Sequence, residues 1–179
     1  MKKEDYYLER SLESIAVEVR GKIHFLVKEG YSSTLIESWI KEAIIPGGLT
    51  ITPDYRILLS ESGEEVVMRP LEKAVYLFFL QYEPGCRLKE LPQHKDEILR
   101  IYNRVTVFDD IQENQHRISR LVDPLSKSFV EKCSVIRRAF MAVLTRMEAE
   151  SYCISGSRDG KRRILLDRSR VKWTTKPLK

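Results

Sequence analysis

Apolar residues recur every three or four positions through most of this chain, and the stretches that break the rule are short. Leu8, Leu12, Ile15, Val19, Ile23 and Leu26 form one stripe, which predicts an amphipathic helix over 6–29, stopped by Gly30. Leu35, Ile36, Trp39, Ile40 and Ala43 predict a second helix from Ser33 or Thr34 to Ile44, ended by Pro46-Gly47-Gly48. Two such helices make a hairpin that cannot bury both apolar faces alone. Exposing the first stripe would cost on the order of 1.5–3 kcal/mol per large side chain. Residues 1–48 are therefore expected to dock on a second copy of the chain, on a protein partner or on the domain downstream, with a symmetric homodimer slightly favoured. Lys22 breaks the heptad spacing and favours a short bundle over a long coiled coil.

From residue 49 the period shortens. Leu49 to Thr52, Tyr55 to Leu59 and Glu65 to Met68 are β-prone runs separated by turn residues, which predicts a small antiparallel sheet. Pro70 suits a first helical position, and Leu71, Ala74, Val75, Phe78 and Tyr82 carry a strongly apolar helix up to Pro84-Gly85. A helix over 88–105, broken near Pro92, and a short one over 112–122, closed by Asp123-Pro124, are expected next. Ser128 stands three residues before Glu131, the spacing of a capping box. Phe129, Cys133, Ile136, Phe140, Val143 and Met147 then predict a helix over 129–147. Beyond Glu150, Tyr152 to Ser155 and Arg162 to Leu166 read as the strands of a hairpin whose turn is rich in Arg and Lys. The expected fold is α+β, mostly helical. Tyr76, Phe78, Phe79 and Tyr82 belong to its core.

Charge adds to this picture because it is unevenly placed. The net charge is +5, yet residues 126–179 hold 14 Lys and Arg against 5 Asp and Glu, whereas residues 1–125 hold 17 against 21. A basic end suggests a polyanion partner, since each Lys or Arg on a phosphate releases a condensed counterion. Three cysteines, far apart and without CxxC spacing, suggest free thiols in a reducing cytoplasm. The charged start shows no signal peptide, no apolar run approaches a membrane span, and no contact with membranes is expected. His24, His94 and His116 lack metal-ligand spacing, Cys133 sits on an apolar helix face, and neither a Gly-rich phosphate loop nor a nucleophile elbow occurs. No catalytic, metal or cofactor site is expected.

The order from residue 49 onward, together with four short strings, resembles the winged-helix output domain of bacterial response regulators, the OmpR-like class. Met68-Arg69-Pro70-Leu71-Glu72 is similar to the start of that family's first helix, and Glu83-Pro84-Gly85 to the turn after it. Ile136-Arg137-Arg138 is similar to the centre of its recognition helix, and Tyr152-Cys153-Ile154-Ser155-Gly156 falls near its wing. There are departures. His116 to Leu121 matches the family's recognition string better locally, but Pro124 separates it from the hairpin. Arg69 replaces the usual cap, the stretch over 105–127 is long, and the 48 residues before the sheet are too few for a receiver domain.

The resemblance, covering residues 49–173, implies a winged helix-turn-helix over 49–179 preceded by the hairpin over 1–48. It also implies double-stranded DNA as partner and transcriptional regulation in the cytoplasm as the role. Lys127, Ser128, Lys132, Ser134, Arg137 and Arg138 on the recognition helix, with Arg158, Lys161, Arg162 and Arg163 on the wing, are the residues expected at DNA. Two other classes stay open: a winged helix that binds an acidic protein, and an enzyme whose site is assembled from scattered residues.

Overall fold

Seven α-helices are found among the described residues of a computed structural model. It describes the backbone of residues 3–43, 47–107, 110–156 and 160–174, and the same residues' side chains except those of 3–12 and 40–43. The chain divides into two compact units, Met1–Ile45 and Pro46–Lys179.

The first unit holds α1 (Lys3–Lys28) and α2 (Ser33–Ala43). Gly30 stops α1 as expected, with φ of +91°, while the Tyr31 N–H reaches Leu26 O and the Gly30 N–H reaches Val27 O, both at 3.1 Å. These are the two bonds of a Schellman cap, and glycine adopts that φ without a Cβ penalty. Ser32 starts α2 by accepting the Leu35 N–H at 3.2 Å. Of the apolar stripe on α1, Ile15 and Val19 are exposed and Ile23 and Leu26 half-buried. The expected end of α2 at Ile44 lies outside the described residues.

The second unit runs β1 (Leu49–Ile51), β2 (Ile57–Leu59), α3 (Pro70–Gln81), a 3-10 turn (Leu88–His94), α4 (Lys95–Val105), α5 (Ile111–Val122), α6 (Ser128–Met141), α7 (Arg146–Tyr152), β3 (Ile154–Gly156), β4 (Arg162–Ile164) and β5 (Val171–Trp173). Pro92 inside the 3-10 turn marks the predicted break before α4. Around α3 the other elements assemble. Its Ala74, Val75, Tyr76, Leu77, Phe78, Phe79 and Leu80 are all buried, the pattern of a helix with no solvent face. Its rings continue into neighbouring helices: Tyr76 lies 5.1 Å from Phe140, Phe79 lies 5.6 Å from Phe129, and Phe140 stacks on Tyr152 at 5.4 Å.

Three expectations change. The third strand of the sheet is β5, not Glu65 to Met68; the order is β2-β1-β5, with β5 parallel to β1. Residues 65–68 form only an isolated bridge between Glu65 and Leu58, although Val66 and Met68 are buried. The helix predicted over 129–147 is two helices, because Thr145 and Glu148 form a capping box that starts α7. Met147, expected in the core, is 63% exposed, and Tyr152 ends α7 instead of opening a strand. The capping box predicted at Ser128 is absent: Ser128 is the first residue of α6, and its own N–H donates to Ser126 Oγ at 3.1 Å.

The β3–β4 hairpin is tied to the loop after α3. Cys86 and Arg162 exchange both backbone hydrogen bonds, at 3.1 and 2.8 Å. Gly85, with φ of +66°, lets this contact form, because a Cβ there would overlap the Arg162 carbonyl and come within 2.8 Å of Arg163 Cβ. Gly85→Ala is therefore expected to destabilise the fold by at least about 2 kcal/mol, from left-handed backbone strain plus overlap. Gly160→Ala is the control: its φ is +76°, but open space surrounds it, so only strain of about 1–2 kcal/mol applies. Urea midpoints at constant slope separate the two.

Candidate nucleic-acid interface

α6 is a 14-residue helix with neither Gly nor Pro, an exposed acidic side chain in its first turn and a basic one in its last, both favourable to its dipole. Phe129, Ile136 and Phe140 are buried on one side. On the other, Lys127, Val130, Glu131, Ser134, Arg138 and Met141 fall on a single helical face, all exposed, with Arg137 exposed beside them. Four of the predicted residues, Lys127, Ser134, Arg137 and Arg138, thus share an outward surface. Val130 and Met141 were missed, although their spacing from Ser134 and Arg138 places them on it. The Ser134 hydroxyl donates to Val130 O at 3.1 Å, and Arg137 Nη2 lies 3.9 Å from Glu150 Oε1 across to α7. Ser128 is half-buried in the first turn.

Lys132 belongs elsewhere, a correction to the expectation. Its Nζ donates to Glu72 Oε1 at 2.9 Å, and the Glu72 side chain is only 2% exposed. The ion pair joins the first turn of α3 to α6, and an ammonium held there is not offered to a phosphate. A carboxylate this buried needs such a partner, since an unpaired buried charge is costly. Helical spacing puts Lys132 on a flank of α6. Only the fold, through a residue 60 positions earlier, decides which way it turns.

The predicted wing is the β3–β4 hairpin, paired Ile154 to Ile164, Ser155 to Arg163 and Gly156 to Arg162. Ile154, Ile164 and Leu166 are buried and hold it to the core. Lys161, Arg162 and Arg163 are half-buried, and Arg158 lies outside the described residues. Arg162 is an anchor as much as a charge, through its backbone pairing with Cys86. Arg168 also turns inward: its guanidinium donates to Leu166 O, to Phe79 O at 3.2 Å and to Ile164 O at 3.3 Å. A cation on the Phe79 carbonyl, in the last turn of α3, complements that helix's dipole. Arg170 and Lys172 are exposed.

Among the described residues no group of His, Cys, Asp or Glu is arranged to hold a metal ion, and no helix is long and apolar enough to cross a membrane. Burial pushes the Cys133 thiol up to about 12 and Cys86 up to about 11, which keeps both protonated at neutral pH. The surface left for chemistry is a cationic helix face with hydroxyl and apolar positions.

The ion pair makes a sharp test. Lys132→Ala leaves Glu72 buried without its cation and is expected to cost about 3 kcal/mol, the low end for a broken buried pair, since Lys132 keeps some exposure. Glu72→Gln with Lys132→Met is expected to recover most of that loss. Chemical unfolding of the three proteins reads both effects. Equal loss in the single and double variants would show that the pair contributes by packing alone. No family model, curated protein or solved structure matches this chain.

Proposed function

We propose that residues 49–179 are a winged helix-turn-helix domain that binds double-stranded DNA, with α6 as the recognition helix and the β3–β4 hairpin as the wing, in a transcriptional regulator. The outward face of α6 carries the reading. Lys127, Arg137 and Arg138 are exposed there around Ser134 and Val130, on a helix fixed from behind by Phe129, Ile136 and Phe140. A major groove admits one helix, in which Arg can read guanine edges, Ser either base type and an apolar side chain the thymine methyl. α6 also packs on β3, so helix and hairpin form one substructure at the basic end of the chain.

A second reading has its own support. Val130 is 45% exposed and Met141 44% exposed on the same face, with the acidic Glu131 between them. Apolar positions mixed with both charge signs suit a protein partner. Competition by bulk DNA, read beside the salt dependence, separates the readings: salt also screens contacts with an acidic protein, but only phosphate contacts release condensed counterions and are competed by any duplex.

Duplex affinity measured by fluorescence anisotropy is expected to fall roughly 100-fold between about 50 and 200 mM salt if about four phosphates are neutralised. Lys127→Ala should weaken binding to all sequences alike and lower the salt slope by about one. Ala at Arg158, Lys161 and Arg163 should likewise lower affinity without regard to sequence. Arg138→Ala should cost about 1–3 kcal/mol on a preferred sequence and relax the preference. A folded wild-type chain with no duplex affinity at low salt sinks the DNA reading.

A further inference from the structure

We infer that Glu131 selects a cytosine in the duplex and so sets sequence preference at the centre of the α6 face. The inference rests on the DNA reading above. Helical spacing lines up Lys127, Glu131, Ser134 and Arg138 in one exposed row, on the side of α6 away from the buried Phe129, Ile136 and Phe140. A helix lying in a major groove turns such a row toward the base edges, and residues near its N-terminus reach them. Glu131, in the first turn, is the acid in that row.

Little within the fold accounts for a carboxylate there. The Ser128–Glu131 capping box is not formed, and Lys127 at the cap position makes no side-chain capping bond. Lys127 stands one turn before Glu131 but does not pair with it, and no other hydrogen bond or ion pair among the described residues engages the Glu131 carboxylate. By contrast, Glu72 on α3 is held by Lys132 at 2.9 Å, and Glu148 on α7 by Thr145 at 2.6 Å. What remains for Glu131 is the favourable end of the helix dipole, a small effect at an exposed position that any residue of the first turn could supply.

Against DNA the same charge is unfavourable unless a donor meets it. Phosphates on both rims of the groove repel it, and most atoms on the groove floor are acceptors: guanine N7 and O6, adenine N7 and thymine O4. Adenine sets its N6 amino group beside the N7 acceptor, where a carboxylate is repelled. Cytosine presents its N4 amino group with no acceptor on the same base edge. A free carboxylate in the middle of the face therefore fits cytosine and rejects the other three bases. Ser134, next in the row, tolerates either kind of partner, so Glu131 discriminates by exclusion where its neighbour does not.

The probe is a pool of duplexes randomised in sequence, from which the full chain selects at low salt. The wild type should return a motif with a cytosine that Glu131→Gln exchanges for adenine, because a Gln amide bonds adenine N6 and N7 together. On two duplexes differing only at that pair, fluorescence anisotropy should show the preference reversed, by about tenfold in each direction. Glu131→Ala should relax the same position and tighten binding to unrelated duplex, since a charge repelled by phosphate is gone. A purely structural role for Glu131 would leave base preference unmoved in both variants. Duplex binding in which Glu131→Gln keeps the wild-type motif, or in which the wild type shows no sequence preference, overturns the inference and leaves DNA binding in place. A wild type that binds no duplex removes both.

Discussion

Glu72 lies in the first turn of α3 with its side chain 2% exposed, and the cation that makes this tolerable comes from Lys132, 60 residues later. The helix that carries Glu72 is buried along nearly its whole length and packs against α4, α6 and β4. The pair ties α6 to α3 at the first turn of each, because a buried carboxylate without its cation is costly. Phe140 packs on Tyr76 and Phe129 on Phe79, Ile136 is buried beside them, and the opposite face of α6 is turned outward. A charge pair inside the protein thus decides which charges remain outside it.

The same division runs through the basic C-terminal third. Arg168 is drawn inward, its guanidinium bonded to the Phe79 carbonyl of α3 and to the Leu166 and Ile164 carbonyls. A count of positive charge therefore overstates what that region offers a polyanion. Among the described residues of this third, the exposed cations are Lys127, Arg137 and Arg138 on α6, Arg146 at the start of α7, and Arg170 and Lys172 near β5. Glu131 and Glu150 sit among them and soften the field.

The helices were legible in the sequence because their signals are local. The stripe on α1, Gly30 as its stop, Pro70 at the start of α3 and the break at Pro92 are each read within a few residues. Where the reading went wrong, a distant partner or a competing local signal decided. Glu65 to Met68 is as β-prone as Val171 to Trp173, but only the latter finds the free edge of β1. Ser128 has capping-box spacing, yet the hydroxyl used is that of Ser126, whereas Thr145 and Glu148 form the box that splits the predicted long helix. For the candidate site, periodicity gave the outward face of α6. It had no means of showing that Lys132 faces a carboxylate on another helix.

The pairing of β1 with β5 joins residues 49–51 to residues 171–173, and Thr174 adds two bonds to the Ile51 carbonyl, at 2.9 and 2.8 Å. During synthesis β1 emerges early and waits for a neighbour that is made more than a hundred residues later. Until then its edge is open to any extended chain nearby. The second unit therefore completes its sheet only after translation has passed Trp173, and a ribosome that stalls before that point leaves a nascent chain with a sticky border. Temporal order is written into this topology: the first strand laid down is among the last to be closed.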